Sequence, residues 1–145
     1  MQVKEIMTTG VECARPAASV REAAIRMRDL AVGSLPVCDH RERLVGIVTD
    51  RDLVIRALAE GADPETTRVD EVMTPGVEYC FEDQDVARAA ELMKQKQIRR
   101  LLVLNRDKKL KGIVSLGDVA VKGRNDRMSG DTSEQASQSA SPIRH

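Results

Sequence analysis

Two short motifs hold the residues with the most chemistry, Thr49-Asp50-Arg51-Asp52 and, 66 positions further on, Ser115-Leu116-Gly117-Asp118. In each, a hydroxyl precedes a carboxylate by three residues, directly after an apolar run (residues 44–48 and 110–114) that reads as a buried strand. The spacing places both groups where a strand turns into a helix. Unpaired backbone N–H groups and the positive end of the helix dipole favour anions there. Two uses are open. The carboxylate can accept from both hydroxyls of a ribose, with Thr49 or Ser115 adding a bond to the same ligand. Alternatively, hydroxyl and acid simply cap the helix start, the ordinary role of this spacing.

The elements that must position these motifs come in two copies. Val3-Lys4-Glu5-Ile6-Met7-Thr8-Thr9-Gly10-Val11-Glu12 returns as Val69-Asp70-Glu71-Val72-Met73-Thr74-Pro75-Gly76-Val77-Glu78, and Leu44-Val45-Gly46-Ile47-Val48 as Leu110-Lys111-Gly112-Ile113-Val114. The offset is constant through Arg56, so the copies share one backbone plan. Within the first copy, residues 11–14 alternate like a brief strand that Pro16 breaks. Ser19 with Glu22 forms a capping box for a helix whose buried stripe is Val20, Ala23, Ala24, Met27 and Leu30 or Ala31. Arg21, Arg26 and Arg28 point outward from it, and Gly33 ends it.

Residues 35–38 form a second strand, with Pro36 placing it at an edge or a bulge. A polar turn over 39–43 leads to the third strand, 44–48. The helix after Thr49 has Leu53, Val54, Ala57 and Leu58 as its apolar positions, and Gly61 stops it. The order is strand, helix, strand, strand, helix, repeated over 77–81, 85–96, 101–104, 110–114 and 116 to about 122. This gives repeat 1 (1–61), a linker (62–68) in which Asp63-Pro64 starts a helical turn, repeat 2 (69–124), and a tail (125–145). The tail is rich in Ser, Gln, Asp and Gly, with too little apolar surface to offset its ordering entropy, and is expected to be disordered.

Composition narrows the function. Lys plus Arg and Asp plus Glu are balanced at 23 each, so no net field favours nucleic acid or an anionic membrane. Aromatic residues are 1% of the chain, too few for stacking bases. No apolar run approaches a membrane span and the start lacks a signal-peptide core, so a cytoplasmic location is expected. Cys13, Cys38 and Cys80 have no C-x-x-C spacing. Cys13 and Cys38 fall in predicted strands of one repeat, and either stay buried thiols or pair as a disulfide or metal site. A catalytic reading finds little support, because the two histidines, His40 in a turn and His145 in the tail, join no constellation, and there is no P-loop, metal cluster or dinucleotide fingerprint.

The order Met-Thr, helix, Leu-Pro-Val, Gly-Ile-Val-Thr-x-x-Asp resembles the cystathionine-β-synthase (CBS) domain, and two copies in tandem resemble a Bateman module of short stand-alone bacterial CBS-pair proteins. The resemblance covers about residues 3–124. It implies a mixed α/β (α+β) fold in which two repeats pack with pseudo-twofold symmetry, and a non-enzymatic regulatory module binding AMP, ADP, ATP or S-adenosylmethionine in a cleft between repeats, with no other cofactor and an unidentified protein target.

By the same resemblance, Thr49, Asp52, Ser115 and Asp118 contact ribose. The adenine lies among Val11, Ile47, Val77 and Ile113, its edge read by backbone near Gly10 or Gly76. Basic residues before the second strand face phosphate, here Arg99-Arg100, where repeat 1 has Gly33-Ser34, and Arg51 adds charge. Leu102 stands where the family pattern has proline, and Leu116-Gly117 is less polar than Asp50-Arg51, so unequal pockets are expected. Family members commonly dimerise through their helices. A homodimer through the faces bearing Val54, Leu58, Val119 and Ala120 is therefore expected.

Overall fold

The computed structural model describes residues 1–128, and side chains to Lys122. The elements are a 3-10 turn (Val3–Glu5), α1 (Val20–Leu30), β1 (Ser34–Cys38), β2 (Leu44–Thr49), α2 (Asp50–Asp52, continuing as a π-helix, Leu53–Leu58), α3 (Val69–Val72), β3 (Tyr79–Phe81), α4 (Val86–Lys96), β4 (Arg100–Leu104), β5 (Leu110–Ser115) and α5 (Leu116–Met128). Strands β1 and β2 form an antiparallel pair, while β3, β4 and β5 form a three-stranded sheet in that order. The mixed helix and strand content expected from the sequence is observed.

The chain folds into two compact units that do not coincide with the sequence repeats. Among the described residues, one comprises Glu12–Val77, and the other joins Met1–Val11 to residues 78–128. The opening segment of each copy is built into the unit formed by the body of the other. In the first unit Val69 and Val72 pack with Val20, Met27, Leu35, Val37 and Val48. In the second, Val3 and Ile6 pack with Met93, Leu101, Val103 and Val114.

Backbone pairing fixes these insertions. Thr8 and Ile113 exchange both hydrogen bonds (2.8 and 3.0 Å), as do Thr74 and Ile47 (2.8 and 2.9 Å). Such close approach requires glycine in the receiving strand. A Cβ on Gly46 would stand 2.9 Å from the Thr74 carbonyl oxygen, and one on Gly112 would meet that of Thr8 even more closely.

Local signals account for most element ends. Ser19 Oγ accepts from the Glu22 amide at 3.1 Å while the Glu22 carboxylate accepts from the Ser19 amide at 3.0 Å, the reciprocal box expected for α1. Gly61 (φ 72°) stops the helical stretch after Thr49. Several expectations are corrected. Helix α1 ends at Leu30 because Ala31 takes the left-handed conformation (φ 57°), and Gln97 does so after α4 (φ 58°), so neither C-terminus uses glycine.

Residues 11–14 form no strand. Ala14 alone bridges to Val37, because Pro36 has no N–H with which to continue a parallel ladder, whereas Leu102 at the matching place pairs with Tyr79 in β3. Asp63 organises a turn by accepting from the Glu65 amide instead of starting a helix. Arg26 turns inward to donate to the Cys13 carbonyl at 2.8 Å. Of the apolar positions after Thr49, Ala57 is buried, but Val54 and Leu58 are 50% and 73% exposed. Helix α5 runs to Met128, into the stretch expected to lack structure. The rest of the tail, 129–145 with His145, lies outside the described residues.

Candidate functional site

Each unit builds one copy of the same arrangement. In the Glu12–Val77 unit, β2 delivers Thr49 as N-cap of α2. Its Oγ1 accepts from the Asp52 amide at 3.0 Å, and Asp52 Oδ2 accepts from the Thr49 amide at 3.0 Å. In the other unit, Ser115 Oγ accepts from the Asp118 amide at 2.9 Å, and Asp118 Oδ2 accepts from the Ser115 amide at 3.1 Å. Both boxes therefore cap helices. Asp52 and Asp118 are each 8% exposed, so these carboxylates are largely desolvated yet reach the surface.

Capping does not exhaust Asp52. Among the described residues its Oδ1 has only long contacts, at 3.4 Å from Thr74 Oγ1 and 3.9 Å from Arg56 Nε, which leaves capacity for a shorter donor. Thr74 comes from the opening segment of the second copy. Two and three residues beyond it are Gly76, in the left-handed region at φ 75°, and half-buried Val77. In the other unit Thr8 pairs with Ile113, and Gly10 (φ 75°) and half-buried Val11 follow. A Cβ on either Gly10 or Gly76 would meet no atom within 4 Å, so each exposed backbone turn faces open space.

The fold thus gathers Thr49, Asp52, Ile47, Gly76, Val77 and Arg51 into one unit, and Ser115, Asp118, Ile113, Gly10, Val11, Arg99 and Arg100 into the other. Gly10 and Val11 do not share a unit with the Thr49 box of their own repeat. Arg100 lies opposite Ser115 across the β4–β5 ladder, and the Arg99 carbonyl accepts from the Leu116 amide at 2.8 Å, which places both arginines beside the Ser115 box. Arg51 is exposed in the first turn of α2.

Thr74, Arg56 and Lys122 escaped the sequence reading as site residues. Arg56 Nη1 donates to the carbonyls of Val72 and Met73, both at 3.3 Å, and Lys122 Nζ donates to the Ile6 carbonyl at 3.1 Å. A cation at the same place in both copies was the available signal. Elsewhere His40 is exposed in its turn, as expected.

All three cysteines are free thiols. Cys13 and Cys38 are in side-chain contact. The hydrogen bond from Cys38 holds Cys13 below the ordinary thiol range, while the same contact and burial push Cys38 well above it. Burial alone pushes Cys80 up to about 11. Among the described residues no group of three or more His, Cys, Asp or Glu is arranged to hold a metal ion, and no helix is long and apolar enough to cross a membrane.

Comparison with known proteins agrees with this repeat plan. The family model for the CBS domain matches residues 3–58 and again 69–122. The chain is 35% identical over 117 residues to hypoxic response protein 1 of Mycobacterium tuberculosis, covering 81% of each chain. The crystal structure of Hypoxic Response Protein I with two coordinated zinc ions superposes with a TM-score of 0.70 at 34% identity, over 83% of this chain and 97% of that one. CBSX2 of Arabidopsis thaliana, in complex with AMP, has a TM-score of 0.70 at 28% identity, covering 87% and 98%. The CBS domain pair of protein MJ0100, in complex with 5'-methylthioadenosine and S-adenosyl-L-methionine, gives 0.66 at 28% identity with the same coverage.

Proposed function

This chain belongs to the CBS-domain family as a tandem pair, and from that premise we propose that it is a cytosolic regulatory module, not a catalyst, that binds an adenosine-containing ligand. The observation that carries this reading is the pairing, inside each unit, of a Ser/Thr-x-x-Asp box with an open glycine turn contributed by the other repeat. Asp52 or Asp118 accepts from the ribose hydroxyls, with Thr49 or Ser115 beside it. The adenine lies against Ile47 and Val77 in one unit or Ile113 and Val11 in the other, its edge read by backbone at Gly76 or Gly10. Phosphate falls to Arg99 and Arg100 in the unit of the Ser115 box, and to Arg51 in the unit of the Thr49 box. The AMP and S-adenosylmethionine complexes of the two structural relatives support this ligand class. A ligand that binds one conformation more tightly shifts the population shown to a protein target.

Isothermal titration with AMP, ADP, ATP, S-adenosylmethionine and adenosine tests this. At least one is expected to bind folded, ligand-free protein, and silence from the whole panel sinks the proposal. The exposed apolar positions Val54, Ile55 and Leu58 support a homodimer. Light scattering on the same samples should return the mass of two chains, and one-chain mass throughout the micromolar range contradicts it.

A second reading rests on the thiol pair. Cys13 is half-buried and in contact with buried Cys38. An added diazene oxidant such as diamide can take two electrons and two protons from them to leave a disulfide and the hydrazine. A loop of this size gains about 3.5 kcal/mol of stability in the chain-entropy account. Diamide is expected to lower the intact mass by about two hydrogens and raise Tm in wild type but not in Cys38→Ser. An unchanged mass and Tm rule out the redox reading.

A further inference from the structure

The two opening segments, each inserted into the unit of the other repeat, are held there by a cation at one equivalent position. Arg56 and Lys122 are 66 residues apart, and so are the carbonyls they share, those of Ile6 and Val72. Both carbonyls lie at the end of a short helical turn, just before the Met-Thr-x-Gly stretch that reaches the box. A donor cation satisfies an otherwise orphaned carbonyl and complements the negative end of the turn.

The two cations are not equivalent. The guanidinium of Arg56 spans the Val72 and Met73 carbonyls through Nη1 while Nε stays 3.9 Å from Asp52 Oδ1. Lys122 reaches the Ile6 carbonyl at 3.1 Å across 116 residues of sequence. A planar fork holds two backbone groups and a carboxylate in fixed relation, whereas an ammonium is a point donor on a flexible stem.

We propose that Arg56 and Lys122 are positioning residues that lock the 73–77 and 7–11 segments against the Thr49 and Ser115 boxes, and that Arg56 ties its segment to the carboxylate of the box itself. This rests on the adenosyl-ligand reading but goes beyond it. Neither residue needs to touch the ligand. Each sets the distance between the glycine turn and the acid, and so the span of ligand that the unit accepts.

Hydrogen exchange on the ligand-free full chain reads the lock directly. Arg56→Gln is expected to speed exchange at the Thr74 and Ile47 amides at least tenfold and leave Thr8 and Ile113 within twofold. Lys122→Gln should do the converse. Arg56→Lys should restore part of the protection, which a purely volume-dependent effect would not. In titrations with adenosine, chosen because it carries no phosphate, Arg56→Gln should lose about tenfold in affinity, with Arg56→Lys between. Unchanged exchange at Thr74 and Ile47, or acceleration spread evenly over 12–77, overturns the lock. If Arg56→Gln fails to fold, Arg56→Lys and Lys122→Gln carry the same test. Site-selective exchange without adenosyl binding by wild type would leave the lock standing and remove the ligand reading.

Discussion

Ile6→Ala is expected to destabilise the protein by about 3 kcal/mol, within the range measured for buried Ile or Leu truncation. Ile6 is 2% exposed and packs in the core with Met93, Leu101, Val103 and Val114, more than eighty residues away in sequence. Truncation removes the transfer free energy of its methyl and methylene groups and leaves a cavity that neighbouring strands only partly fill. Lys4→Ala, two residues away and exposed, is the control and should change stability by less than about 0.5 kcal/mol. Urea unfolding supplies the numbers, and hydrogen exchange locates the loss, which should fall first on the Thr8 and Ile113 amides. A loss under about 1 kcal/mol would mean that the opening segment is not part of that core.

The double variant Arg99→Gln, Arg100→Gln is expected to weaken AMP and ATP binding by at least tenfold while adenosine affinity stays within about twofold. Charge-assisted hydrogen bonds contribute about 1.5–3 kcal/mol each, so even one such contact to phosphate accounts for a tenfold change. Both residues stand beside the Ser115 box without being part of it. The cap bonds of Ser115 and Asp118 are therefore untouched, whereas substituting Asp118 would remove cap and proposed ribose acceptor together. The preference of wild type for nucleotide over adenosine should shrink as salt rises. Equal losses for nucleotide and adenosine, or no loss at all, would make these arginines surface residues and remove phosphate from that unit.

Much of the architecture was legible because it is written in local patterns. The Ser19 and Glu22 box, the two Ser/Thr-x-x-Asp turns and the apolar runs at 44–48 and 110–114 each depend on neighbours a few residues away. The caps appear in the structure as the spacing implies and both runs form strands, but β2 is only partly buried, with Val45 38% exposed, so the reading of 44–48 as a buried strand is corrected. The left-handed ends at Ala31 and Gln97 were not legible, since the backbone hydrogen bonds that close these caps, Val32 N–H to the Met27 carbonyl and Ile98 N–H to that of Met93, are not announced by the residue types. The face bearing Val54 and Leu58 was legible as an apolar stripe wanting cover, as the homodimer expectation took it, and the structure leaves it exposed within its own unit.

By itself the sequence determined that there are two copies on one plan, and which residues sit at the strand-to-helix turns. Tertiary structure alone decided which copy's opening segment serves which core. The two segments, Val-x-x-Ile-Met-Thr and Val-x-x-Val-Met-Thr, are nearly interchangeable, so local propensity cannot distinguish staying from crossing. The choice appears in long-range terms: the hydrogen-bonded pairs of Thr8 with Ile113 and Ile47 with Thr74, burial of Val3 and Val69 in the cores they join, and the glycines that let the chains approach. Those terms exist only after distant parts of the chain meet, which is why the sequence showed the acids and the glycine turns but not which of them would share a unit.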